Sequence, residues 1–294
     1  MNPNKALWEK GDFTRIAETM RESGETLVRG LGITQGFKVL DLGCGDGTTA
    51  LPEARLGADV LGVDIASNLV EAGNKRAQEQ GLTNCKFQEG DASNLHELKD
   101  DTFDLVVSIF GAMFAPRPFD VAKEMVRVTR PGGQIIMGNW IPNDPTLVAQ
   151  ILKISSAYSP PPPEGFISPM TWGIESTVIE RFAGAGIPKE KISFVKDTFT
   201  FNYSGTPSDL LGVFRRYYGP TMNAFDAAEK NGRRHRANRS RRLPGTGNSS
   251  GLLPSRACFR RPPGSGRYRH PTRPRPVLPP AEPSFRRHSR DPGP

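Results

Sequence analysis

The stretch Val39-Leu40-Asp41-Leu42-Gly43-Cys44-Gly45-Asp46-Gly47 constrains the fold more than any other part of the chain. A short apolar strand runs straight into three glycines spaced two apart, and a helical pattern follows. Such a turn reaches backbone conformations closed to other residues and lets a ligand approach closely, while the N-terminus of the next helix favours an anion. Alone the pattern is weak, because a plain tight turn and several kinds of nucleotide-binding fold also produce it. A dinucleotide fold is disfavoured by Thr48, which stands where a GxGxxG motif needs its last glycine.

The turn has company. From Phe37 to Trp140 short β-branched runs alternate with helical stretches, the pattern of a doubly wound, mostly parallel α/β sheet built from βαβ units of about 25 to 30 residues. The spacing predicts strands at Lys38 to Leu42, Asp59 to Ile65, Cys85 to Glu89, Phe103 to Ile109 and Gln134 to Asn139. It predicts a helix capped by Ser67, with Leu69, Val70, Gly73 and Ala77 on one face, stopped at Gly81. A second runs from Pro118 to Arg130 over Val121, Met125 and Val128 and ends at Pro131-Gly132-Gly133. Asp64 closes the second strand 23 residues after Asp41, where a carboxylate accepts hydrogen bonds from both hydroxyls of a ribose. Gly90-Asp91-Ala92 closes the third strand and Ser108-Ile109-Phe110 the fourth. All these positions fall at strand carboxyl ends, the edge where open α/β sheets bind ligands.

Flanking this core (residues 37–140), residues 1–36 read as an N-terminal helical cap. Residues 141–232 read as a helical lid interrupted by Ser159-Pro160-Pro161-Pro162-Pro163, then a sixth strand from Ile192 to Tyr203 and a helix from Pro207 to Lys230. Composition then breaks. Residues 233–294 hold 16 Arg, no Lys, 12 Pro and only 2 acidic residues, a charge of +14, whereas the preceding 232 residues carry −6. About 19% of the tail is apolar, too little to offset the entropy of ordering it, so it is predicted to be disordered. No apolar run approaches the roughly 18 residues of a membrane span, and Met1 to Asp12 lacks the apolar stretch of a secretory signal, so a cytoplasmic protein is expected. Cys44, Cys85 and Cys258 lie far apart and the body holds one histidine, His96, read as an exposed loop residue. Neither a disulfide framework nor a zinc site follows, and no metal is expected. Asp41 and Asp46 beside Cys44 should raise its thiol pKa, which leaves it a packing role.

With these residues in view, the sequence from Trp8 to Lys230 resembles the class I S-adenosylmethionine-dependent methyltransferases. More narrowly it resembles the small-molecule group called methyltransferase type 11, which includes the quinone-biosynthesis enzymes. Phe110-Gly111-Ala112-Met113-Phe114, Arg130-Pro131-Gly132-Gly133 and Phe214-Arg215-Arg216-Tyr217-Tyr218-Gly219-Pro220-Thr221 are also similar to that group. The resemblance implies a Rossmann-like fold and S-adenosylmethionine as cofactor. It implies that Asp41 lies near the cofactor ammonium, and that Gly43, Cys44 and Gly45 cradle the carboxylate and ribose. By the same carry-over Asp64 takes the ribose hydroxyls, Ile65 packs on the adenine, Asp91 and Ala92 read its edge, and Ser108, Ile109 and Phe110 line the sulfonium side. For Asp91 the alternative is a plain turn residue at a strand end.

Methyl transfer from a sulfonium is an in-line displacement, so alignment and exclusion of water carry most of the task and no catalytic side chain is named. The chain lacks the Asn-Pro-Pro-Tyr and Pro-Cys signatures of nucleic-acid enzymes, which favours a small-molecule acceptor. Trp8, Met113, Trp140, Trp172, Tyr217 and Tyr218 are substrate-contact candidates, with simple lid packing as the alternative, and together with Phe166 they suggest an apolar or aromatic acceptor. Rival readings are an RNA methyltransferase or nucleic-acid-binding protein using the arginine-rich tail, and a nicotinamide-dependent oxidoreductase. Nucleic acid is otherwise expected to bind only nonspecifically, through that tail. The tail also fits an out-of-frame translation beginning near Arg233, since arginine and proline codons are rich in C and G. Family members usually end with a further helix and a strand. Leu252-Leu253 and Val277-Leu278 are each followed by Pro, so no strand is expected after Arg233 and the last strand is predicted to be missing, leaving Ile192 to Tyr203 an unpaired edge.

Overall fold

The computed structural model describes residues 4–158, 164–230, 250–253 and 255–260. These belong to one compact unit, Met1–Pro263; the unit Gly264–Pro294 lies outside the described residues. The strands are β1 (Lys38–Leu42), β2 (Asp59–Asp64), β3 (Cys85–Glu89), β4 (Phe103–Ile109), β5 (Thr129–Asn139), β6 (Ile192–Ser193), β7 (Asp197–Thr200), β8 (Ser250–Leu253) and β9 (Ser255–Arg260). The α-helices are α1 (Lys5–Trp8), α2 (Thr14–Ala17), α3 (Arg21–Arg29), α4 (Ala50–Arg55), α5 (Ser67–Glu79), α6 (Pro118–Val128), α7 (Leu147–Ser156), α8 (Glu175–Gly184), α9 (Pro207–Tyr217) and α10 (Gly219–Lys230). The main sheet has the order β3-β2-β1-β4-β5-β9-β6, and its first five strands are all parallel. This is the Rossmann-like α/β fold that the alternation predicts. The chain leaves β1 for one side of the sheet and returns from β4 on the other, so a crevice opens between their carboxyl ends.

The strands read as near-continuous apolar runs because helices cover both faces: Val39, Leu40, Leu42, Val106, Val107, Ile135 and Met137 are all buried. In α6, Val121, Ala122, Met125 and Val128 recur at helical spacing and are buried against the sheet. That helix stops at Val128, two residues short of the sequence expectation, and β5 starts at once. Thr129 pairs with Phe103 and Gln134 with Leu105, so Arg130-Pro131-Gly132-Gly133 is taken up in a register shift. Ser67 does not cap α5. It is the first helical residue, and the carboxylate of Glu9 accepts its backbone N–H at 3.2 Å and its hydroxyl at 2.7 Å.

The C-terminal half departs further from expectation. Ile192 to Tyr203 is not one strand: β6 joins the main sheet, while β7 leaves it to pair with β8. Nor is the last strand missing. Ser255–Arg260 runs antiparallel to β5, Gln134 opposite Arg260 through Asn139 opposite Ser255, and pairs Phe259 and Cys258 with Ile192 and Ser193. The run Ala257-Cys258-Phe259 was its signal, and arginines on either side obscured it. The predicted unpaired edge is therefore corrected. The predicted disorder of residues 233–249, 254 and 261–294, and the proline run at 159–163, lie outside the described residues. Deleting residues 233–294 should strip β5, β6 and β7 of their antiparallel partners and leave bare edges. Size-exclusion chromatography is expected to show loss of the soluble monomer, and a folded monomer of residues 1–232 would contradict the pairing.

Candidate active site

The glycine turn follows β1 directly. Gly43, Gly45 and Gly47 adopt φ of 69°, 55° and 88°, the left-handed region that side chains disfavour. A Cβ on Gly43 would lie 2.5 Å from the Gly111 Cα, so the loops after β1 and β4 meet backbone to backbone. Phe110, at the end of β4, also takes a positive φ of 56°, which turns the chain back toward the first loop. Ser108 braces the junction: its hydroxyl donates to the Leu42 carbonyl at 2.6 Å and accepts from the Ala112 N–H at 2.9 Å. It is buried beneath the cleft and supports it from there.

Two acids lie under this turn. Asp64 accepts the Gly45 N–H on one oxygen at 2.8 Å and the Ala66 N–H on the other at 2.9 Å. Each oxygen keeps a lone pair, an arrangement suited to two vicinal hydroxyls. Burial pushes its pKa up against these backbone donors. Asp41 is buried, its Oδ2 accepting the Thr49 hydroxyl at 2.5 Å while its Oδ1 has no partner among the described residues. Burial pushes its carboxyl up to about 7, with the Asp64 charge adding to the rise. Burial also holds the Cys44 thiol far above its usual range, helped by Asp64 and Asp41. Asp46, which the sequence reading credited there, is instead paired with Arg21 at 2.8 Å and Arg76 at 3.2 Å. Asp91 forms an Asx turn, accepting both the N–H and the hydroxyl of Ser93 at 2.8 and 2.7 Å.

The N-terminal segment straps across the cleft. Asn4 donates to the Phe114 carbonyl at 2.6 Å on the β4 side. On the β2 and β3 side Lys5 donates to the Ile65 carbonyl at 3.1 Å and pairs with Glu89 at 2.5 Å and Glu9 at 3.0 Å. Under the strap, Gly43, Gly45, Asp64, Ile65, Asp91, Ala92 and Phe110 line one cleft, joined by Trp8, Phe13, Leu69 and Phe114. Asp41, Cys44, Ser108 and Ile109 are not among its lining residues; the first three are buried in its floor.

A second chamber, of about 610 Å³, shares Asn4, Trp8, Phe114 and Ala115 with the cleft and extends between α7, the loop after β5, and Phe166 to Met170. From α7 it takes Ala149, Leu152, Lys153 and Ser156, one helical face. Trp8, Trp140 and Tyr218 line it. Where cleft and chamber meet, a small void is walled by rings: Trp8, Phe13, Phe110, Phe114, Trp140 and Tyr218. Trp8 lies 4.9 Å from Phe114 and 5.8 Å from Tyr218, and Phe110 stacks on Trp140 at 4.6 Å. Three sequence candidates line none of these spaces. Met113 is buried, Trp172 is buried against Arg181 and Phe182, and Tyr217 lies beside the Arg15 guanidinium. His96 is exposed, and among the described residues no three His, Cys, Asp or Glu side chains gather as a metal site. Sequence reading missed Asn4, Lys5 and Phe13, which carry no local motif; Phe114 stood in the run Phe110 to Phe114 and was legible there.

S-adenosylmethionine fits this donor set. It brings an ammonium to match the unpartnered Asp41 oxygen, a ribose diol for Asp64, and a flat base for the wall formed by Ile65 and Ala92. Comparison with known proteins agrees. Residues 40–137 match the Methyltransf_11 family, a methyltransferase domain. The uncharacterized protein Rv1405c of Mycobacterium tuberculosis is 34% identical over 223 residues, 76% of this chain and 79% of that protein. The demethylmenaquinone methyltransferase of a Geobacillus species is 36% identical over 115 residues, 38% of this chain and 49% of that enzyme. The YcgJ protein of Bacillus subtilis shares the fold, with a TM-score of 0.53 at 19% identity, over 82% of this chain and 98% of its own. The chain is thus a class I S-adenosylmethionine-dependent methyltransferase. Within that class it belongs to the Methyltransf_11 family, and S-adenosylmethionine is its cofactor. No helix among the described residues is long and apolar enough to cross a membrane.

Proposed function

We propose that the enzyme methylates a small apolar or aromatic acceptor by in-line displacement, with the acceptor held in the 610 Å³ chamber. The observation that carries this reading is the shared wall of Asn4, Trp8, Phe114 and Ala115, which sets the chamber directly beside the cofactor cleft. Bound S-adenosylmethionine supplies an electrophilic methyl group on a sulfonium. In this reading Asp41 faces the ammonium, Asp64 holds the ribose, Ile65 and Ala92 pack on the adenine, and Asp91 reads its edge. The Gly43 and Gly111 backbones let the cofactor lie close to both strand ends. The rings of Trp8, Phe110, Phe114 and Trp140 exclude water from the line of transfer, where alignment of this kind supplies roughly 7 to 11 kcal/mol. None of the four shared residues is titratable, which supports catalysis by positioning. One relative is named a demethylmenaquinone methyltransferase, after its small-molecule acceptor, which supports an acceptor of that kind here.

A thermal-shift assay tests the cofactor half of the proposal. At ligand concentrations about a hundredfold above Kd, S-adenosylhomocysteine should stabilise the fold by about 2.7 kcal/mol and raise Tm by roughly 5 to 10 °C. NAD should leave Tm unchanged, and a larger shift with NAD would return the oxidoreductase reading.

A further inference from the structure

Arg181 is a buried cation without a counter-ion among the described residues. It shares the inner face of α8 with Val178 and Phe182 and is only 1% exposed. Its Nη2 donates to the Thr171 hydroxyl, while Nε and Nη1 are buried and have no partner among the described residues. The guanidinium carbon lies 4.4 Å from the centre of the Trp172 ring, and the indole N–H of that wholly buried tryptophan also has no partner there. Two enclosed side chains in contact thus hold three nitrogen donors without an acceptor, and neither group can accept. Buried polar groups are hydrogen-bonded in roughly nine cases of ten, so the cluster calls for a ligand that accepts.

The surroundings bring no negative charge to it. Glu175 and Glu180 on α8 are exposed. On α6, which packs against α8, Asp120 and Glu124 are paired with Arg117 and Arg127. The short 3-10 helix Pro169–Gly173, which carries Trp172 and Thr171, contains no acid. Burial pushes the Arg181 pKa down to about 10 against the pull of Glu180, so the guanidinium keeps its charge at neutral pH. Stacking on the Trp172 face offsets part of that charge but leaves the N–H groups unsatisfied. An interior charge is costly unless it is both paired and hydrogen-bonded.

We infer that Arg181 and Trp172 form an enclosed site for one small monovalent anion, with chloride as its physiological representative. The donor atoms are out of reach of solvent, so the ligand is a single small ion and not the carboxylate of a larger molecule. A guanidinium is itself weakly hydrated, which favours a halide over a strongly hydrated phosphate. The site stands behind the chamber wall. Thr171 passes its own hydroxyl proton to the Ser168 carbonyl at 2.6 Å, and Ser168 lines the chamber. At the far end of the same short helix, a Cβ on Gly173 would come 2.1 Å from the Trp140 carbonyl, so the helix also abuts a second part of the wall. A bound anion braces both parts from the rear, whatever the chamber holds.

The test is thermal unfolding of the full chain at constant sodium concentration, with chloride exchanged for gluconate, which is too large to be enclosed. Wild type should melt about 3 to 6 °C higher once chloride is about tenfold above its Kd, and the rise should level off as the site fills. Arg181→Met keeps an apolar stem and should lose this response, and Trp172→Phe keeps a ring and should weaken it. The arginine-rich tail meets the same anions in all three proteins, so the difference between them is the readout. Wild-type crystals soaked in bromide give a second readout that needs no variant: anomalous density is expected beside the free Arg181 nitrogens. The inference is overturned if wild type melts alike in chloride and gluconate, if Arg181→Met responds as wild type does, or if bromide density is absent from Arg181.

Discussion

Asp64→Ala is expected to weaken S-adenosylmethionine binding by at least about a hundredfold, since two hydrogen bonds to a charged group at about 1.5 to 3 kcal/mol each are at stake. The carboxylate acts twice. In the protein it holds the Gly45 and Ala66 N–H groups, which shapes the glycine turn, and its two remaining lone pairs would take the ribose hydroxyls. Alanine removes both functions and leaves two buried N–H groups unsatisfied. Asp64→Asn keeps one acceptor oxygen and should fall between the two in both affinity and Tm. Far-ultraviolet circular dichroism of the two variants separates a lost ligand contact from a lost fold: native-like spectra with binding unchanged in Asp64→Ala would remove Asp64 from the site.

Asp41→Asn should move stability and affinity in opposite directions. Burial raises the Asp41 carboxyl from 3.8 to about 7, so between those values the folded chain holds a proton that the unfolded chain has released. Stability falls as pH rises through that window, because the folded state binds the extra proton. Above it the folded enzyme keeps a buried anion whose Oδ1 has no partner among the described residues. Nearby Glu53 is also buried, neither of its carboxylate oxygens has a partner among the described residues, and burial together with the Asp41 charge holds its pKa well above the usual carboxylate range. Asparagine removes the charge while keeping an acceptor for the Thr49 hydroxyl. The ligand-free variant is expected to melt at least about 3 °C above wild type at pH 8, on the usual conversion of stability to Tm. The same substitution removes the anion that would face the cofactor ammonium, and affinity should drop at least about tenfold, as for a charge-assisted hydrogen bond. A variant that melts lower and binds normally would contradict both halves.

What the sequence disclosed was local. The five parallel strands, the inner faces of α5 and α6, and the turn from Gly43 to Gly47 are each written in a few consecutive residues, through apolar periodicity or through glycines that only a left-handed turn requires. The strap over the cleft was not legible, because Asn4 with the Phe114 carbonyl and Lys5 with Glu89 are pairings between distant segments, and neither Asn4 nor Lys5 stands in a motif. Ser67 and Glu9 mislead for the same reason: a serine at a helix start reads as a cap until a distant carboxylate is seen to do that work. Composition misled at β9, where arginine-rich flanks outweighed three apolar residues that suffice for pairing once β5 offers an open edge. Among the aromatic candidates, spacing could not separate Trp8, Trp140 and Tyr218, which face cavities, from Trp172 and Tyr217, which do not.

The turn after β1 and the carboxylates beneath it are the proposed S-adenosylmethionine site. Calorimetric titration of S-adenosylmethionine into the full-length protein, at pH 6 and again at pH 8, tests it most directly. Binding at one site per chain in the micromolar range, tighter at pH 8 where Asp41 is ionised, is the expected result. A protein with the circular dichroism of a folded α/β domain that gives no binding heat at either pH, and no competition for a fluorescent S-adenosylmethionine analogue, would contradict it.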